Sequence, residues 1–297
     1  MVDVKEIKSF KLTPFTRMSA SIYGILGFIV AIVLLMVLII VQAAGVIPQL
    51  GQFNVVTGLG VPLIILLPIG AFFSTIMVSF VSVMFYNALV PKLGGVKLEL
   101  AGNEVEKIPV ISFSLILSAI GAIWAFIVGL VLAAVISPLF SLIGTLSTLP
   151  AAANITANIT NVSGAAMPTG AEVGTAGILV SLVLIIGLPI MVFVFGFIWN
   201  ALFALFYNYI VTRVAKIQLE FGQITGNLYE LKHIPVLPTA LAITLVYTLL
   251  GLISGVMSGN YGEFISNFII YFIETALIAI LYNYLAPKIG SIKLNLE

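Results

Sequence analysis

Six apolar runs divide the chain, and every lysine and arginine falls into alternate gaps between them. The runs lie at roughly 18–44, 61–90, 111–136, 177–206, 240–257 and 264–285, each near or beyond the about 20 residues that carry a helix across a bilayer. Lys5, Lys8, Lys11 and Arg17 precede the first run. Lys92, Lys97 and Lys107 separate the second from the third, Arg213, Lys216 and Lys232 separate the fourth from the fifth, and Lys288 and Lys293 follow the sixth. The other gaps, 45–60, 137–176 and 258–263, hold no cation at all. Cations beside a span are retained in the cytoplasm, so both termini are expected there and loop 137–176 outside the cell, in a multi-pass protein of the plasma membrane.

Composition agrees. Of 297 residues 61% are hydrophobic and 8% charged, with a mean hydropathy of +1.25, an apolar surplus that a water-soluble particle of this size could not hide. A net charge of +1 without a basic tail gives no footprint for nucleic acid. The absence of cysteine excludes disulfides and thiolate chemistry, and His233 is the single histidine, too little for a transition-metal site. No cofactor is expected, and membrane lipids are the first partners. The Asn- and Thr-rich outer loop carries acceptor sequons at Asn154, Asn158 and Asn161, candidates for glycosylation. The apolar run after the charged lead-in exceeds a signal-peptide core, so the first helix is expected to stay as an anchor.

The chain repeats itself three times, over 1–101, 102–222 (with the long outer loop) and 223–297. The even runs end on Tyr86-Asn87, Tyr207-Asn208 and Tyr282-Asn283, and the tails that follow align without a gap. Those tails alternate: Val96, Leu98 and Leu100 share one face, as do Ile217, Leu219 and Phe221, and Ile292, Leu294 and Leu296. That is the period of a half-buried strand. With lead-in strands at Val4 to Phe10, Val105 to Ile108 and Tyr229 to Ile234, the fold class expected is an all-α polytopic membrane protein of six helices. They form three tandem two-helix repeats with approximate threefold symmetry, and their cytoplasmic β-strands form a small sheet or barrel. Ala101-Gly102-Asn103 and the stretch Gly222 to Gly226 supply turns between units. Pro109 and Pro235 mark strand-to-helix boundaries.

A two-helix unit closing in Tyr-Asn and then a Gly-Gly, β-branched, alternating tail, as at Gly94-Gly95, resembles a short bacterial transmembrane family catalogued as a domain of unknown function. The resemblance covers mainly the even span and tail of each unit, roughly a third of the chain, and the middle copy departs with Ala215-Lys216 at the glycine pair. It implies the helix-pair fold and no particular activity.

Polar residues inside the runs are the candidates for function. Seven residues before each tyrosine stand Ser79, Asn200 and Thr275, and Thr75, Ser79, Ser82 and Tyr86 share one face of the second run. These either line a polar pathway or glue helices together by hydrogen bonds. Glu274 is sharper, because an acid within a span is costly unless protonated, paired or wetted, and no run holds a cation to pair with it. It should meet an aqueous cavity or hydrogen-bond to a neighbour such as Tyr271. Its counterparts are Val78 and Trp199, so a threefold ion filter is not expected. Lys92, Arg213 and Lys288 follow the even helices, where they suit the helix dipole and lipid headgroups. Gly251 and Gly255 have the spacing of close helix packing. Glu99, Glu104, Glu106, Glu220 and Glu230 read as cross-strand charge partners and His233 as a solvated sheet residue.

No enzyme is expected, since no nucleophile, acid pair or metal set converges. Two classes stay open. One is a channel- or transporter-like protein lining a polar pathway with Glu274. The other is a non-catalytic scaffold or accessory subunit that docks a partner, as a homo-oligomer or in a hetero-complex.

Overall fold

The computed structural model describes residues 3–45, 56–147, 170–260 and 262–297. Among these, six helical stretches are long and apolar enough to cross a membrane: Leu12–Ala43, Gly58–Leu93, Val110–Leu142, Thr175–Arg213, Val236–Ser258 and Phe264–Ile289. In chain order the elements are β1 (Asp3–Phe10), α1 (Leu12–Ala43), α2 (Val61–Leu93), β2 (Val96–Ala101), β3 (Glu104–Lys107), α3 (Val110–Ser147), α4 (Gly170–Leu182) and α5 (Leu188–Tyr209). Then come β4 (Glu220–Thr225), β5 (Leu228–His233), α6 (Val236–Ser258), α7 (Glu263–Ile289) and β6 (Lys293–Leu296). A π-helical turn, Val183–Gly187, joins α4 to α5 into one apolar rod.

The six strands form one antiparallel sheet in the order β3-β2-β1-β6-β5-β4. Its edges meet. Glu104 bridges Gln218 just ahead of β4, Val105 N–H donates to Ile217 C=O at 2.9 Å, and Leu219 N–H donates to Asn103 C=O at 2.8 Å. These contacts join the two edges of the sheet at one corner, just ahead of β4, and pair strand groups that would otherwise stand free there. Strand alternation gives the sheet an apolar side: Val96, Leu98, Leu100, Val105, Leu231, Leu294 and Leu296 are all buried. Elsewhere, Lys107 meets Glu99 at 3.8 Å, Lys216 meets both Glu104 and Glu106, and the half-exposed His233 faces Glu220 at 3.6 Å. Glu230 instead accepts from the Ser291 hydroxyl at 2.8 Å.

The chain divides into two compact units, residues 1–116 with 201–297, and residues 117–200. In the first, α1 packs along α2 and α6 along α7. Gly27 makes the α1–α2 approach close: a Cβ there would stand 3.0 Å from the Ala71 Cβ and 3.1 Å from the Leu67 carbonyl oxygen. Gly251 does the same for α6, where a Cβ would meet the Asn267 side chain at 2.3 Å. In the second unit Gly129 of α3 lets the rod approach until a Cβ would lie 2.1 Å from the Leu184 carbonyl oxygen. Each of these glycines is followed four residues later by Ala31, Gly255 or Ala133, so a seam of small residues admits the neighbouring helix.

Three expectations need correction. Residues 137–176 are helical at both ends: α3 runs on to Ser147 through Pro138, which removes a single rung, and the Ser141 hydroxyl adds a bond to Ser137 C=O at 3.1 Å. At the other end α4 begins at Gly170. The turn expected over Gly222 to Gly226 is confined to Gly226-Asn227, because β4 continues through Thr225 and only Gly226, with φ of +52°, takes the left-handed corner. The middle tail leaves its helix differently from the other two. α2 and α7 end on Gly94 and Gly290, with φ of +81° and +92°, whereas α5 stops at Tyr209 and tightens through a 3₁₀ turn, Val211–Arg213. Ala215 stands where the others have that glycine and cannot easily reach positive φ. The sequons Asn154, Asn158 and Asn161 lie outside the described residues.

Candidate functional site

The Tyr-Asn pairs fasten helices to strands, with the same bonds in three places. Tyr86, Tyr207 and Tyr282 donate their hydroxyls to the carbonyls of Ile7, Val105 and Leu231 in the lead-in strands. Each hydroxyl also accepts from a tail N–H ten residues on: Val96 at 3.0 Å, Ile217 at 3.0 Å and Ile292 at 3.2 Å. The adjacent carboxamides bind both backbone groups of the residue two before the next helix. Asn87 takes Phe10, Asn208 takes Ile108 and Asn283 takes Ile234, all at 2.8–2.9 Å. All three tyrosines are buried. These bonds satisfy groups that burial would otherwise leave costly, so the pairs are structural clamps.

The clamps decide which helices stand side by side. β1 lies between β2 and β6, so α1, which follows β1, rises beside α7, which precedes β6. Near the strands the two helices touch through Met18, Ile22 and Leu26 against Ile278, Tyr282 and Leu285. Further along they part around a cleft of about 610 Å³. Of the twelve described residues that line it, Tyr23 and Glu274 bring polar side chains; Val30, Val33, Ile270 and Leu277 typify the rest. Glu274 stands eight residues before Tyr282, about 12 Å along the axis from the clamp. Among the described residues no lysine, arginine or hydrogen-bond donor pairs with its carboxylate. Tyr271 is turned elsewhere: its ring stacks on Tyr247 at 4.2 Å, and Tyr247 meets Phe203 edge-on at 5.5 Å.

The other polar residues satisfy themselves locally where their bonds are seen. Ser79 is buried and its hydroxyl donates to Thr75 C=O on its own helix; Asn200, in the second unit, donates to Gly196 C=O at 2.8 Å. Thr75, Ser82 and Thr275 are half-buried. Lys288 lies over the Tyr284 ring at 3.4 Å, while Lys92 and Arg213 occupy the last turns of their helices. Two ionic contacts shape the strand end. Hydrogen bonds donated to Glu106 and then Glu104 push the Lys216 ammonium up to about 12. Burial opposes ionisation of Glu6, but the Gly95 N–H at 2.7 Å and the Lys8 ammonium outweigh it and hold the carboxyl below its ordinary range. Among the described residues no three His, Cys, Asp or Glu side chains gather to hold a metal ion.

Sequence reasoning singled out Glu274 and did not pick out Tyr23, which lines the same cleft. The missing step was adjacency: only the pairing of the first strand with the last brings these helices together. The role of the Tyr-Asn pairs was also missed, although the constant ten-residue spacing to Val96, Ile217 and Ile292 was visible. No protein-family model, curated protein or solved structure matches the chain, so the resemblance drawn from its tails rests on those residues themselves.

Proposed function

We propose that the chain is an integral membrane protein of the plasma membrane, a set of three tandem two-helix repeats with approximate threefold symmetry rooted on one cytoplasmic sheet, and that it works as a channel- or transporter-like protein. The observation that carries this reading is Glu274, an acid with no cation beside it among the described residues, lining a cleft between two apolar helices. Within a membrane such an acid is expensive to keep and is typically retained where a solute or proton meets it. The segregation of all twelve lysines and arginines to the strand side supports termini in the cytoplasm. The recurrence of one set of clamp bonds supports the repeat.

One observation favours a second reading, a scaffold or accessory subunit. Ser79 and Asn200 spend hydrogen bonds on their own helices, which leaves Glu274 with less support from a polar layer than a pathway would need. Flux separates the two. Purified protein in liposomes should pass ions or protons above the rate of empty vesicles, and Glu274→Gln should abolish the excess; no excess in the wild type supports the scaffold.

A further inference from the structure

The cleft between α1 and α7 has an unusual balance of chemistry. One carboxylate and one phenol sit in an otherwise aliphatic trough, at the level where the two helices begin to part. Its volume of about 610 Å³ lies within the about 300–1,000 Å³ that hold drug-sized molecules. Its rim is open sideways: Val30, Val33, Ile270 and Ile273 keep 47–57% of their surface exposed. A ligand could therefore arrive from the flank of the helices, through the lipid on the reading above.

We propose that this cleft binds a cationic amphiphile, with an alkylammonium or quaternary ammonium head at Glu274 and an apolar tail along Val30, Val33, Ile270 and Ile273. The proposal rests on the transport reading and names its substrate class. Charge complementarity selects the head. Among the described residues the protein offers Glu274 no cation, and a cation brought by the ligand offsets the cost of an acid in apolar surroundings. Tyr23 lines the same cleft, and an aromatic ring and a hydroxyl both suit an ammonium. The aliphatic walls select the tail, because they offer it no polar group and gain by being covered.

The test is equilibrium binding of dodecyltrimethylammonium, whose charge does not change with pH, to protein in phosphatidylcholine nanodiscs, with empty discs subtracted. Saturable binding near one per chain is expected. Glu274→Gln should weaken it tenfold or more, Glu274→Asp should retain most of it, and Val33→Trp should abolish it by filling the trough while leaving the carboxylate. Dodecanol should bind wild type and Glu274→Gln alike, and dodecyl sulfate should not compete. Equal binding of the cation to wild type and Glu274→Gln, or competition by dodecyl sulfate, overturns the proposal. Gel filtration of each variant excludes a failure to fold. Binding with no flux of the amphiphile, ions or protons in liposomes would uphold the cleft and sink transport; ion or proton flux without binding would uphold transport and overturn the assigned substrate class.

Discussion

The Asn208 carboxamide closes a two-bond ring on the backbone of Ile108, accepting from its N–H and donating to its C=O, each at 2.8 Å and across 100 residues of chain. Asn87 and Asn283 do the same at Phe10 and Ile234. A side chain that satisfies both groups of one distant residue fixes position and direction at once.

Stability should therefore be concentrated in the clamps. Tyr207→Phe leaves the Val105 C=O and the Ile217 N–H without their shared partner inside a buried site. A loss of about 1–3 kcal/mol is expected. Tyr209→Phe, on an exposed ring nearby, should change little. Thermal unfolding in detergent compares the two, and equal melting would remove the clamp from the account.

Glycine at the helix seams makes a second prediction. Gly129→Ala would set a methyl 2.1 Å from the Leu184 carbonyl oxygen, so the helices must separate, at a cost of about 1–3 kcal/mol or more. Gly70→Ala meets nothing within 4 Å and should stabilise by about 0.5–1 kcal/mol through helix propensity alone. Chemical denaturation of both variants gives the contrast of sign.

The charged contacts at the strand end predict opposite pH windows. Lys216 is raised from 10.5 to about 12, so its contribution is full below 10.5 and disappears as pH rises through about 12. Glu6 is lowered from 4.5, so its contribution is full above 4.5 and is lost as pH falls through the depressed value. The melting difference between wild type and Lys216→Met should vanish only in strong alkali. That for Glu6→Gln should vanish only in acid. A midpoint near neutrality in either comparison would contradict these assignments.

Orientation can be read directly because the chain lacks cysteine. Asn227→Cys, in the exposed turn between β4 and β5, should react with an impermeant thiol reagent only after cells are opened. Asn260→Cys, in the exposed turn after α6, should react in intact cells. Labelling of both from one side would refute the proposed topology.

Much of this architecture was legible in the sequence because its causes are local. The alternation at Val96, Leu98 and Leu100 and the prolines at 109 and 235 fix strand and helix starts from neighbouring residues alone. What could not be read depends on distant pairing. The joining of the sheet's edges needs Glu104 opposite Gln218, and the neighbourhood of Tyr23 and Glu274 needs β1 beside β6. Asn200 was open between lining a pathway and bonding across helices, and type and spacing do not reveal its bond to Gly196 on the same helix. The seams at Gly27 and Gly129 escaped notice because glycine is abundant throughout the chain and spacing alone does not single them out.

The sheet also imposes an order of events in the making of the protein. Its first ribbon is flanked by the second and by the sixth, so it waits for one neighbour while residues 11–292 are made. At about 5–20 residues per second that interval is roughly 15–60 s. During it the first ribbon has no seal on one side, the side that a newborn chain of another copy could cover with its own sixth strand.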